Sequence, residues 1–124
     1  MDQRVDGCAG MRSTTYINTR VAEFAAIDGH MKTLGFQPTP GIISDNVLPY
    51  RQGTEYRVYE CSDVLGASMW GRVSISIDDT IECDFAIEAL FGSPNDFQRV
   101  WRRCGELKES VVDFYKEWRE GQNP

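Results

Sequence analysis

Two runs of alternating residues flank a short acidic tripeptide: Met69, Gly71, Val73, Ile75 and Ile77 before it, and Ile81, Cys83, Phe85, Ile87 and Ala89 after it. A period of two sends successive side chains to opposite faces of a strand, so each run reads as a strand with one apolar face. With Asp78-Asp79-Thr80 as the loop, the expected hairpin sets Ile77 against Ile81, Ile75 against Cys83, Val73 against Phe85 and Trp70 against Glu88. Every large aliphatic then falls on one side. The other side is polar and acidic, and an antiparallel sheet covered on a single face follows.

A cover for that face lies further along the chain. Phe97, Val100, Cys104, Leu107, Val111, Phe114 and Trp118 step by three and four, and Trp101, Val112 and Tyr115 widen the seam. Ser93 as N-cap, Pro94 in the first turn and Asp96 at the third position mark its start. From Pro94 to Glu120 the helix would run roughly 40 Å. Its seam is too broad and too aromatic for a bare coiled-coil stripe, which predicts packing across the sheet. A heptad seam also serves dimers, so a homodimer through this last helix is the alternative expectation.

The earlier part of the chain is less regular. Residues 1–13 are polar, contain two glycines and show no period, so they read as a disordered leader, with Met11 an alternative start. From Thr15 to Leu34, Ile17, Val21, Phe24, Ala25, Met31 and Leu34 keep helical spacing and Gly35 stands where a C-cap belongs. Asp28-Gly29 is the weak point of that helix. Pro38, Pro40, Gly41, Pro49 and Gly53 then forbid a continuous element, leaving a long connection with one short strand at 41–44. Glu55 to Cys61 reads as a strand and Asp63 to Ala67 as a turn. The expected architecture is α+β: an N-terminal helix and an antiparallel β-meander of three or more strands packed on a long C-terminal helix, in one domain over 14–124.

At 124 residues, with 41% hydrophobic and 26% charged side chains, the chain can bury a core unaided. No run approaches the length of a membrane span, and MDQRVDGCAGMRS has no apolar core of a signal peptide, so a cytoplasmic protein is expected. The formal net charge is −6. Between Val58 and Gln98 eight acids face the single base Arg72, whereas the rest of the chain is nearly neutral. A fixed negative field of this kind repels nucleic acid and attracts basic proteins. Cys8, Cys61, Cys83 and Cys104 are too widely spaced for a zinc motif, and Cys83 and Cys104 fall on apolar faces where a thiol packs as a small hydrophobe.

Motifs for nucleotide, zinc, acyl-transfer and calcium chemistry are missing from the sequence, and neither a cofactor nor a metal is expected. His30, the single histidine, has no carboxylate or cysteine beside it and reads as a helix-end residue. Glu82 and Asp84 lie about 7 Å apart on one strand face. An open face supplies no desolvation to raise either pKa, which argues against acid–base catalysis. Arg99, Arg102 and Arg103 near a helix start could hold an anion, but Asp96 opposes it and Arg102 can pair with Glu106.

The segment MKTLGFQPT at 31–39 resembles the helix-to-strand turn of glyoxalase-like folds and of acyltransferases. The metal ligands of the first and the pyrophosphate loop of the second are not in the sequence. The residues that single themselves out form an outer face: Glu82, Asp84 and Glu88 with Trp70 on the polar side of its strand, and Asp78 and Asp79 at the hairpin tip. An exposed tryptophan among carboxylates is the composition of an interface anchor ringed by steering charge. The expected function is therefore a small acidic binding module, without enzymatic activity, that captures a basic partner such as a toxin, a nuclease or a secreted client. The alternative is a small-ligand binder or enzyme with an aromatic cavity of Tyr56, Tyr59, Phe85, Trp101 and Tyr115 between sheet and helix.

Overall fold

The computed structural model describes residues 19–45, 53–61, 65–91 and 96–122. The proposed leader, Met11, Cys8, Ile17, the first two residues of the 63–67 turn and the Ser93-Pro94 start signal lie outside the described residues. In chain order the elements are helix α1 (Val21–Thr33), strands β1 (Gln37–Pro38), β2 (Ile43–Asp45), β3 (Thr54–Cys61), β4 (Ala67–Ile75) and β5 (Ile81–Leu90), and helix α2 (Phe97–Gln122). The strands form one antiparallel sheet in which β3 pairs with β4 and β4 with β5, while β1 and β2 both pair with the other edge of β3. The fold is α+β, with both helices against one face of the sheet.

In α1 the buried positions are Glu23, Phe24, Ile27 and Met31. Val21 is 58% exposed and Ala25 is exposed as well, so the stripe is rotated from the expected one and runs through Ile27. Phe24, Ile27 and Met31 keep the three–four spacing by themselves, and they carry the bulk that drives burial. The helix passes through Gly29 without a break, since Gly29 faces open space and costs only the backbone entropy of a solvated glycine, about 1 kcal/mol. It stops at Gly35, whose φ of 93° is left-handed. The Gly35 N–H donates to Lys32 O and the Phe36 N–H to Met31 O, a Schellman closure that drops Phe36 into the core beside Met31.

The start of α1 is held by β3. Buried Glu55 accepts hydrogen bonds from the Thr19 N–H at 2.8 Å, the Thr19 hydroxyl at 2.6 Å and the Arg20 N–H at 3.2 Å. A carboxylate brought from 35 residues away thus satisfies donors that the helix cannot pair internally. Tyr59 and Arg57 on β3 fix the helix again at its middle: the Tyr59 hydroxyl donates to Asp28 at 2.7 Å, and Arg57 Nε lies 3.3 Å from the same carboxylate. Burial and the Asp28 bond both push the Tyr59 hydroxyl well above the ordinary phenol range.

The β4–β5 hairpin differs in register from the expectation. Ile75 pairs with Ile81, Val73 with Cys83, Gly71 with Phe85 and Met69 with Ile87, a shift of two residues. The loop is Ile77-Asp78-Asp79 rather than 78–80, because Asp79 adopts a left-handed φ of 67°. The Ser76 N–H donates to Thr80 O and the Asp79 N–H to Ser76 O, as in a three-residue hairpin loop ending in a left-handed residue. Asp78 reinforces it by accepting from the Ser76 hydroxyl and the Thr80 N–H, and the Ser76 bond holds its carboxyl below the usual range. Ile77 is thereby left out of the strand and stands 73% exposed. An even shift preserves faces, so the apolar alternation survives the change of partners.

Near its far end the ladder slips once more. Ser68 pairs with Ala89 while Met69 pairs with Ile87, which leaves Glu88 as the extra residue of a bulge. Trp70 therefore sits opposite Ala86, with Glu60 on its other side, and not opposite Glu88.

On the covered face Tyr59, Met69, Val73, Ile75 and Cys83 meet Val100, Cys104, Leu107, Val111 and Tyr115 of α2. The seam that suited either a sheet or a dimer is here packed on the sheet. Cys83 and Cys104 are buried, as expected, and burial pushes the Cys83 thiol up to about 11. Gly71 makes room for Phe85: a Cβ there would lie 2.6 Å from the ring, which in turn packs edge-on against Phe36 at 5.5 Å. Phe97 and Trp101, one turn apart at the start of α2, stack on each other and are exposed, although Val100 between them is buried.

Candidate functional site

Neither helix covers the opposite face of the sheet. Three cross-strand rows lie there: Tyr56–Ser74–Glu82, Val58–Arg72–Asp84 and Glu60–Trp70–Ala86. Ile43 extends the first row and Gln37 the third. The rows arise from the same alternation that fills the core, since each strand residue between two core residues must point outward. Tyr56, Val58 and Arg72 are half-buried and Ser74 is buried, whereas Trp70, Glu60, Glu82 and Asp84 are exposed.

Trp70 is 38% exposed, and Ala86 beside it is too small to cover its ring. Arg72 is pinned from two directions, with its guanidinium 5.6 Å from the Tyr56 ring centroid and 3.6 Å from Asp84. Both partners are well solvated, so this ion pair orients Arg72 and adds little stability. Four carboxylates, those of Glu60, Glu82, Asp84 and Glu88, thus rim an aromatic centre that contains one fixed cation. The face can offer a flat apolar anchor and a negative field.

The sequence-derived site residues separate into two groups. Trp70, Glu82 and Asp84 share the open face, and Glu88 sits at its end on the bulge. Asp78 is exposed in the hairpin loop. Asp79 belongs elsewhere: it pairs with Arg20, and its other oxygen lies 2.8 Å from Arg119. Glu23 completes this group, 2.9 Å from Arg20 and 3.7 Å from Arg119, and Arg20 also donates to Ser76 O. The start of α1, the hairpin loop and the end of α2 are tied together there. Sequence reading left Tyr56, Arg72 and Glu60 out of the site; the alternation in EYRVYE puts residues 56, 58 and 60 on one side of β3, and that in MWGRVSI puts Arg72 in phase with Trp70 on β4.

The aromatic residues expected to line one cavity are dispersed. Tyr56 is on the open face, Tyr59 and Phe85 are on the covered face, and Trp101 is 62% exposed. Tyr115 lines a cleft of about 500 Å³ between the start of β5 and the last turns of α2, with Asp79, Ile81, Val112, Lys116 and Arg119. The buried Tyr115 hydroxyl has no hydrogen-bond partner among the described residues, and its burial raises its pKa.

Two further candidates turn inward or pair off. His30 is half-buried between the helices, stacked on Phe114 at 4.4 Å with Nε2 2.9 Å from the Ser110 hydroxyl. Arg99 pairs with Asp96 and Arg103 with Glu106, so Glu106 meets Arg103 and not the expected Arg102. Among the described residues no three His, Cys, Asp or Glu side chains are grouped to hold a metal ion, and no helix is long and apolar enough to cross a membrane. Comparison with protein-family models, with curated proteins and with solved structures returned no match.

Proposed function

We propose that this protein is an acidic binding module that captures a basic protein partner on the open face of its sheet, as an immunity protein, an inhibitor or a secretion chaperone does. The observation that carries this reading is Trp70: a large aromatic ring stands exposed in the middle of a sheet face that no helix among the described residues covers, within a rim of carboxylates. Such rings supply contact area at small entropic cost, and charges around them accelerate encounter and select the sign of the partner. The acidic run that contains the face disfavours nucleic acid. Free Cys61, Cys83 and Cys104 suit a reducing compartment, and the cytoplasm is the proposed setting.

Affinity capture from native lysate tests the reading, with the tagged wild type beside Glu82→Lys/Asp84→Lys and washes at low salt and at about 0.5 M, where screening is strong. One basic protein in stoichiometric amount, lost with the variant and weakened by salt, is the expected result. A partner retained equally by both, or an acidic partner, contradicts it. A small ligand is the second reading, favoured by the unpartnered Tyr115 hydroxyl beside the cleft; a metabolite that co-purifies with wild type and not with Tyr115→Phe would support it.

A further inference from the structure

The open face ends at β5, which among the described residues has a neighbouring strand on one side alone. Edge strands expose a row of backbone donors and acceptors, and the residues that offer them follow from the hairpin. Ser76 and Thr80 form a hydrogen-bonded pair at the loop. Alternation then places Glu82, Asp84 and Ala86 in bonded pairs with β4, so the backbone groups of Ile81, Cys83, Phe85 and Ile87 point outward. No proline interrupts them, and the bulge at Glu88 ends the regular run. Seven residues, 81–87, make a pairable edge.

The side chains along that edge state what would pair with it. On the open face it carries Glu82 and Asp84, both exposed, and then small Ala86 next to Trp70. On the covered face it carries half-buried Ile81, Phe85 and Ile87 around buried Cys83. A second copy of this chain pairing antiparallel would bring carboxylates against carboxylates, which is unfavourable. A strand with cations on one face and aliphatic residues on the other matches both. Cations opposite Glu82 and Asp84 gain charge pairing, and a third, two residues on, reaches across Ala86 to the Trp70 ring.

We propose that β5 is a strand-addition edge, and that the basic partner docks by adding an antiparallel extended segment of alternating Lys or Arg and aliphatic residues along residues 81–87. This rests on the acidic-face reading and specifies its mode of recognition. In an antiparallel pair, residues that exchange backbone hydrogen bonds share a face, so the segment's aliphatic residues bond Cys83 and Phe85 while its cations lie over Glu82 and Asp84.

The test uses the full chain and three acetylated eight-residue peptides of alternating Lys and Val: unmodified, N-methylated at every valine, and N-methylated at every lysine. All three carry the same charge, but each methylated peptide lacks the amide donors of one edge. The expected result, by calorimetric titration, is that valine methylation weakens binding about tenfold or more, while lysine methylation leaves it within about twofold. Loss on lysine methylation alone supports strand addition in the parallel sense, because the bonding parity is then reversed. Equal binding of all three with loss on Glu82→Lys/Asp84→Lys overturns strand addition and leaves the acidic face as a side-chain docking surface. No binding of any peptide also overturns strand addition, and the lysate capture then decides the acidic-face reading by itself.

Discussion

The two faces of this sheet are built from the same strands by the same alternation, yet they differ in what their residues can be exchanged for. On the covered face Val73, Ile75 and Cys83 are enclosed by two helices, and each has neighbours that cannot move without cost. On the open face Trp70, Glu82 and Asp84 are exposed, and Asp84 pairs with Arg72. The first face specifies the fold, and the second is free to specify a partner. Alternation separates core residues from outward-facing ones residue by residue, along strands of only nine and ten residues.

Substitutions can break this division, and the largest effect is expected on the covered side. Phe36→Ala removes a fully buried ring that closes α1 and supports Phe85, and should cost about 3–5 kcal/mol in urea unfolding. Gly71→Ala forces a Cβ into the Phe85 ring and should cost about 1–3 kcal/mol. Asp79→Asn keeps a residue that tolerates the left-handed loop position while removing the charge between Arg20 and Arg119; a loss of up to about 1 kcal/mol is expected for so exposed a carboxylate. Its effect on partner capture should be negligible, since Asp79 is turned away from the open face. A large loss of capture with Asp79→Asn would redraw the site around the hairpin tip.

Glu82→Lys/Asp84→Lys should leave the unfolding free energy within about 1 kcal/mol of wild type, whereas Trp70→Ala, whose side chain is only 38% exposed, should cost about 1–2 kcal/mol. They should part in kinetics, with charge reversal slowing association in a salt-dependent way and Trp70→Ala speeding dissociation. The smallest effect concerns His30. Burial lowers its pKa below 6.5, so as pH falls from 7 the unfolded chain takes up the proton first and stability declines. The contribution is present above the free value and is lost as pH drops towards the lowered folded one. His30→Gln should flatten that limb of a stability–pH profile between pH 7 and 5.5.

What the sequence made legible was what periodicity encodes. The hairpin, its two faces, the long helix and the burial of both central cysteines all follow from spacing. The hairpin register was harder to read, because it hinges on Asp79 accepting a left-handed conformation, which moves the loop by one residue and re-pairs every position beyond it. The α1 stripe was misplaced because Val21 and Ala25 satisfy the same spacing as Phe24, Ile27 and Met31, and only packing chooses between them. The Arg20–Asp79–Arg119 group joins positions 59 and 40 residues apart, a proximity that no local pattern announces. Trp70, Glu82 and Asp84 stand out in the sequence because they occupy the polar phase of an alternating strand, as Arg72 does beside Trp70, whereas Tyr56 joins that surface only through the pairing of β3 with β4.

The most direct test of the division between the faces is a map of backbone amide shifts as the unmodified Lys–Val peptide is added to the labelled protein. The account predicts changes along 81–87 and at Trp70 and Arg72, with the core amides of Val100, Leu107 and Val111 unmoved. Shifts centred on Thr80, Val112 and Lys116 would place recognition in the cleft by α2, and shifts spread through both helices would contradict a sheet whose two faces work independently.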